Sequence, residues 1–375
     1  MAECLRVIRS TGARIRGSIE NFVWEDPQCP ELQQVRLEYD LDRVVAPART
    51  QFDQVLRLMD WVHHLWRHDP ENAAPRQDAV TILRGVKEGK HFRCVEYATL
   101  LVQLCTAFGW PARAVRMVQP YPGGPLEGQA HLVSEVWIND LAKWVCFDAQ
   151  INAYWEYRGS PLSVLELQDL VCRGLGRKLR WRRFSPLNLH RYMEARLRRM
   201  GLPVSLTGAA LRLYSAVAAK SDFAMFFFHP RFATGNNYIG RGSGRLPPSV
   251  EYVHPLGRPP QLIYNHQFEV YYRTTGDRSL VDFTCNLVDL DPHPPGPNQR
   301  QDRLLMRFRH CIPWFERLEV RLNDAPEWRP VGPEFEWPLK PGLNRLEVRG
   351  VNRLGFTTDA STYEVWAPAG VVAHG

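Results

Sequence analysis

The run CVEYATLLVQLCTAF, which opens at Cys94, constrains the fold more than any other stretch of the chain. Val95, Ala98, Leu101, Val102, Cys105 and Phe108 recur at helical spacing, so a helix starting near Cys94 must bury one side. Gly109 suits its C-terminal cap, and Pro111 prevents continuation. The period then changes to two: ARAVRMV, HLVSEVWI and KWVCFDA read as strands, with PYPGGPLEG as a loop. A helix that needs cover, followed at once by strands that supply a face, predicts an α+β unit.

Upstream, TQFDQVLRLMDWVHHLW carries Phe52, Val55, Leu56, Met59, Val62 and Leu65 on one helical stripe. HDPENAAP reads as a loop and DAVTILRGVKEG as a second helix. Between 161 and 220 the pattern is helical again (PLSVLELQDLV, LNLHRYMEARLRRM, TGAALRLYSAVAAK), an elaboration placed at about 160–220. DLDPHPPGPNQRQ, residues 289–301, has four prolines and no apolar period, which marks a linker. Beyond it LLMRFRH, RLEVRLN, FEWPL, NRLEVRGVN and STYEVWA alternate between turn signals, as in a small β-sandwich. The expected plan is therefore a first domain over 1–288, a linker over 289–301 and an all-β sandwich of the immunoglobulin-like kind over 302–375.

Charge is concentrated. The net charge is +7, but Arg173 to Arg199 holds ten Arg or Lys against the single acid Glu194, so that segment carries +9 and the rest about −2. Such a segment suits a solvated helix face, a lid or an acidic partner; no nucleic-acid motif accompanies it, so no nucleic acid is expected. The eight cysteines (4, 29, 94, 105, 146, 172, 285 and 311) form no CxxC pair and scatter too irregularly for a disulfide scaffold. Mostly reduced thiols are expected, with Cys105 a small core residue. No apolar run approaches the ~20 residues of a membrane span, and MAECLRVIRSTGARIRG lacks the h-region of a signal peptide. If the start is native, a cytoplasmic location is expected.

Chemistry gathers around Cys94. A thiol opening a helix faces unpaired N–H groups and the positive end of the dipole, both of which favour thiolate. Those same N–H groups can hold an oxyanion. HLVSEVWI and KWVCFDA, paired through a tight turn at Asn139-Asp140, set His131 opposite Asp148. A loop two residues longer makes them diagonal neighbours on the same face, and a slip of one residue separates them. An imidazole beside a carboxylate is the pair that orients a base and stabilises its charged form.

GKHFRCVEYATLLVQLCTAFGWPARAV followed by AHLVSEVWINDLAKWVCFDAQ resembles the core of the transglutaminase-like superfamily, over about residues 50–155. The resemblance implies a papain-like α+β fold, with a helix-borne Cys packed on an antiparallel sheet. It makes Cys94 the nucleophile, His131 the base and acid, and Asp148 the orienting carboxylate. It also implies attack on an amide through a thioester, as in cross-linking transglutaminases, peptide N-glycanases and cysteine proteases. Substrates would then be proteins, peptides or glycopeptides, no cofactor would be needed, and hydrolysis is slightly favoured over cross-linking. Phe92-Arg93 stands where many members have a glycine before the Cys, and Ala149-Gln150 where Pro-Thr is common. Both departures bear on the substrate.

Other residues compete for attention. His64 and His68 have the i,i+4 spacing of a metal pair beside His63, but no HExxH pattern or third carboxylate accompanies them. Trp66, Gln77 and His91 are candidates for a side-chain oxyanion donor. GRGSGR at 240–245 lacks the strand and GK[ST] ending of a phosphate loop, and MFFFHP reads as core. A different class of function is a non-catalytic binding or scaffolding protein that retains the fold, with the sandwich and the basic segment as its working surfaces.

Overall fold

The structure is a computed structural model. It describes residues 5–11, 15–17, 24–69, 71–118, 130–183, 194, 197–198, 200–210, 231–235, 249–253, 263–265, 270–275, 277–295 and 302–369. LNLHRYMEARLRRM for the most part, MFFFHP and GRGSGR, each singled out above, lie outside these residues. Two compact units emerge. One is Glu20–Val281; the other joins Met1–Ile19 to Asp282–Gly375.

Among the described residues of Glu20–Val281 the named helices are α1 (Pro30–Glu38), α2 (Leu41–Val45), α3 (Gln51–Leu65), α4 (Ala79–Lys87), α5 (Cys94–Ala107) and α6 (Val164–Cys172). With β1 (Arg6–Thr11) kept for the other unit, its strands are β2 (Ala112–Val118), β3 (Ala130–Ile138), β4 (Lys143–Asp148), β5 (Ala153–Tyr157), β6 (Ser160–Pro161), β7 (Arg180–Arg183), β8 (Arg231–Gly235), β9 (Ser249–Val253), β10 (Ile263–Asn265) and β11 (Val270–Thr275). They form one sheet in the order β10-β11-β9-β8-β2-β3-β4-β5-β6, with β7 also on β5. All its pairs are antiparallel except β9–β11.

Local chemistry places the helix starts. Thr50 caps α3 by accepting the Asp53 N–H at 3.1 Å, and Asp78 caps α4 by accepting the Thr81 N–H at 2.8 Å. Gly109 follows α5 with φ +75°, the left-handed conformation that ends a helix most easily in glycine. The expectation of a one-sided stripe on α5 is corrected: every residue from Val95 to Ala107 is buried. Helices α1, α3 and α4 cover it on one side and β2 and β3 on the other. A helix with cover all round is a core helix. Glu96, Gln103 and Thr106 are answered inside, as where the Gln103 amide oxygen accepts the Ala79 N–H at 2.5 Å.

The 160–220 elaboration is not wholly helical. RWRR forms β7, in register with β5 from Ala153↔Arg183 to Glu156↔Arg180, and Arg182 meets Glu156 at 2.7 Å. Strand pairing overrides the helical reading of that arginine run.

The second unit has β12 (Val288–His293), β13 (Arg303–His310), β14 (Phe315–Leu322), β15 (Arg329–Val331), β16 (Glu334–Pro338), β17 (Gly342–Asn352) and β18 (Ser361–Ala367). Sheets of order β1-β18-β17-β14-β15 and β12-β13-β16 enclose one apolar cluster, with Met306, Phe308 and Trp337 from the smaller sheet and Val320, Val348 and Val365 from the larger. This is the expected all-β sandwich, built wider than the expected bounds. Val288–His293 is a strand on β13 although it overlaps the stretch read as linker, and β1 comes from the first residues of the chain. Pro292 is tolerated because β12 is an edge strand.

Candidate functional site

Cys94 is the first residue of α5, and Arg93 before it is extended (φ −79°, ψ −179°). The helix start is held by Glu96, a fully buried carboxylate that the sequence reading passed over. It accepts the Ala74 N–H at 2.9 Å, the Gln77 amide at 2.7 Å, the Arg93 N–H at 3.2 Å and the Arg93 guanidinium at 3.2 Å. A capping glutamate at the third position of a helix was legible as a pattern. Its additional partners at 74 and 77 were not. Phe92 is packed so closely under α4 that a Cβ on Gly85 would stand 2.6 Å from the Phe92 ring.

The β3–β4 hairpin brings the other two residues. The tight turn is corrected: Asn139–Leu141 is a 3-10 turn, Ala142 follows at φ +47°, and Ile138 pairs Lys143 rather than Leu141. The loop is two residues longer, so His131 and Asp148 are diagonal neighbours on one face. Gln51 fixes that loop from the start of α3; its amide donates to Trp137 O at 2.8 Å and accepts the Asn139 N–H at 2.8 Å. Ser134 ties β3 to α5 by donating to Ala98 O at 3.1 Å.

The three side chains meet. His131 Nε2 and Asp148 Oδ2 are 2.6 Å apart, with both residues buried (6% and 2% exposed). Asp148 Oδ1 accepts the N–H groups of Gln150 at 3.0 Å and Ile151 at 3.4 Å, so both carboxylate oxygens are engaged. Cys94 is half-buried and hydrogen-bonded to His131; with Nε2 on Asp148, Nδ1 is the nitrogen left for the thiol. Burial raises the Cys94 thiol, but the His131 hydrogen bond, its positive charge and the Leu132 backbone hydrogen bond outweigh it and hold the pKa below its ordinary value. Burial lowers His131, yet Asp148 and Cys94 together raise it to about 10. The opposed shifts both favour the thiolate–imidazolium form of the pair.

Among the other candidates, the proposed metal spacing is corrected. Helix α3 ends at Leu65 and Trp66 is extended, so His64 and His68 do not share a helix face. His63 Nδ1 donates to Ala149 O at 3.0 Å, and burial lowers its pKa. Two of the candidate oxyanion donors are committed elsewhere, Trp66 Nε1 to Phe92 O at 3.3 Å and Gln77 to Glu96, while His91 is exposed and its Nδ1 accepts the Arg67 N–H at 3.1 Å. Among the described residues no group of three or more His, Cys, Asp or Glu is placed to hold a metal, and no helix is long and apolar enough to cross a membrane.

Residues 41–149 match the family model of the transglutaminase-like superfamily, and this stretch is a domain of that kind. Among solved structures, the chain is similar to one from Cytophaga hutchinsonii described as a candidate cysteine protease, at 20% identity and a TM-score of 0.26. The match spans 35% of this chain and 40% of that one. No curated protein matches the sequence.

Proposed function

We propose that the transglutaminase-like domain is the body of a thiol enzyme acting on amide bonds, with Cys94 as nucleophile, His131 as acid and base and Asp148 as its orienting partner. The observation that carries this reading is the hydrogen-bonded chain from the Cys94 thiol through His131 to Asp148, closed by the 2.6 Å contact. The Cys94 sulfur attacks the carbonyl carbon and the π electrons move to oxygen. Imidazolium His131 then gives its proton to the leaving amine as the C–N bond breaks, leaving a thioester on Cys94. Neutral His131 next takes a proton from water, which cleaves the thioester to the acid, or from an amine, which yields a new amide.

Substrates of this reading are proteins, peptides or glycopeptides, and no step calls for a cofactor. The sandwich and the +9 segment are accessory, the latter suited to an acidic partner. The test is alkylation by iodoacetamide below pH 7, mapped by mass spectrometry. Selective modification of Cys94 that disappears in His131→Ala is expected. Reaction no faster than at Cys105, which burial raises far above the ordinary thiol range, sinks the enzyme and leaves the scaffolding alternative. Trapping the acyl-enzyme with and without an added primary amine then measures whether water or amine resolves it.

A further inference from the structure

An oxyanion at this site needs a second donor beside the Cys94 backbone N–H. Trp66 Nε1 and the Gln77 amide donate away from the thiol, and His91 is exposed with its Nδ1 on the Arg67 N–H. His68 is a further candidate. It bridges Phe92 in a short parallel pairing, and the Asp69 N–H donates to Phe92 O at 2.9 Å, so its backbone is anchored two residues before the nucleophile. Side chains two apart on an extended segment share a face, and residues paired across strands do too. With Arg93 extended, His68, Phe92 and Cys94 therefore point to one side.

The His68 ring is half-buried and lies within electrostatic reach of both His131 and Asp148. Among the described residues its ring nitrogens have no hydrogen-bond partner. We propose that the His68 imidazole is the side-chain donor that, together with the Cys94 backbone N–H, holds the oxyanion formed when the thiolate attacks a carbonyl. This assignment rests on the thiol-enzyme reading above.

The environment fits that role. Burial first, and the positive His131 second, push the His68 pKa down to about 4, against the partial counterweight of Asp148, Asp69 and Glu96. His68 is thus neutral when His131 is charged. It offers an N–H without competing for the proton His131 must deliver, and it donates a hydrogen bond while transferring nothing. As the C–S bond forms, the carbonyl π pair moves onto oxygen beside the His68 N–H. As that pair returns, the leaving group departs with its bonding electrons.

Two reagents separate this role from a merely structural one. p-Nitrophenyl acetate acylates Cys94 through an oxyanion and releases p-nitrophenolate; iodoacetamide alkylates it by direct displacement of iodide, with no oxyanion. In His68→Ala, acylation should slow by about 10²-fold, the usual cost of one oxyanion donor, while alkylation keeps the wild-type rate. His68→Gln, which restores an N–H, should recover part of the loss. Wild-type acylation in His68→Ala, or parallel loss of both reactions, overturns the assignment. If the alanine variant does not fold, His68→Phe, which keeps a ring and removes the donor, decides by the same two rates. A wild-type Cys94 inert to both reagents overturns the thiol-enzyme reading instead.

Discussion

The two compact units cover their charges to different degrees. In Glu20–Val281 charged groups are drawn inside. Arg113 on β2 lies opposite Glu135 on β3, with both side chains almost fully buried and nitrogen and oxygen 2.6 Å apart. Arg113 also donates to Val281 O at 2.7 Å and lies over the Trp144 ring at 4.3 Å; Glu135 accepts the Val164 N–H at 2.7 Å. His131 and Glu135 alternate onto the same face of β3.

In the sandwich the cluster between the sheets is apolar, and the larger sheet also carries ion pairs in which buried carboxylates meet partly exposed arginines. Glu319 sits directly across from Arg349 and Arg321 across from Glu347, with Trp328 beneath Arg321 and Arg349 at 4.9 and 4.2 Å. Depth decides what the same ion pair does. An interior pair is costly to break and can hold a register or tune a reacting group. A ladder whose arginines reach solvent contributes less, but it keeps a sheet face polar.

The largest effect that tests this contrast is at His131. His131→Ala should slow acylation of Cys94 by p-nitrophenyl acetate by roughly 10²–10⁴-fold, the range of general acid–base catalysis. With an amide substrate, whose leaving amine takes the His131 proton, the wild-type rate should rise as Cys94 ionises, below its ordinary pKa, and fall as pH climbs through about 10, where His131 loses its proton. An alkaline limb near the ordinary histidine value instead would mean that the interior does not hold the charge.

Next is Arg113→Met, which leaves Glu135 charged and buried; equilibrium urea unfolding should show a loss of about 3–5 kcal/mol, most of it recovered in Arg113→Met/Glu135→Leu. No recovery in the double variant would assign the loss to packing. Gly85→Ala probes the same unit without charge, because the added methyl meets Phe92; a loss of about 1–3 kcal/mol is expected from overpacking. The smallest effect belongs to the sandwich. Arg349→Ala should cost less than about 1 kcal/mol and should shrink in high salt. A loss matching that of Arg113→Met would erase the distinction between the units.

The helices and strands that carry Cys94, His131 and Asp148 were legible because their apolar periods are strong. The hairpin loop was not, since Ala142 takes a left-handed conformation that glycine or asparagine would have advertised, and a glutamine from another helix holds the turn. The strand at Val288–His293 hid behind its proline, and RWRR hid because pairing with β5, not its own composition, makes it a strand. His68 read as half of a metal pair, because the spacing counts residues and does not show that the helix stops at Leu65. Glu96 and Glu135 look like surface acids by type. Only their partners, remote in the chain, explain their burial.

Strand β1 also bears on how the protein is made. Its hydrogen bonds reach β18 across 351 positions, so no ribosome-bound chain can complete the larger sheet until all the residues between them have emerged. At ~5–20 residues per second, the first strand waits on the order of tens of seconds for its partner. Meanwhile Glu20–Val281 has all its own strands and helices and can close first. Val7 and Ile8 stay exposed even once β1 has paired, so the edge of the completed sheet keeps an apolar stretch facing solvent.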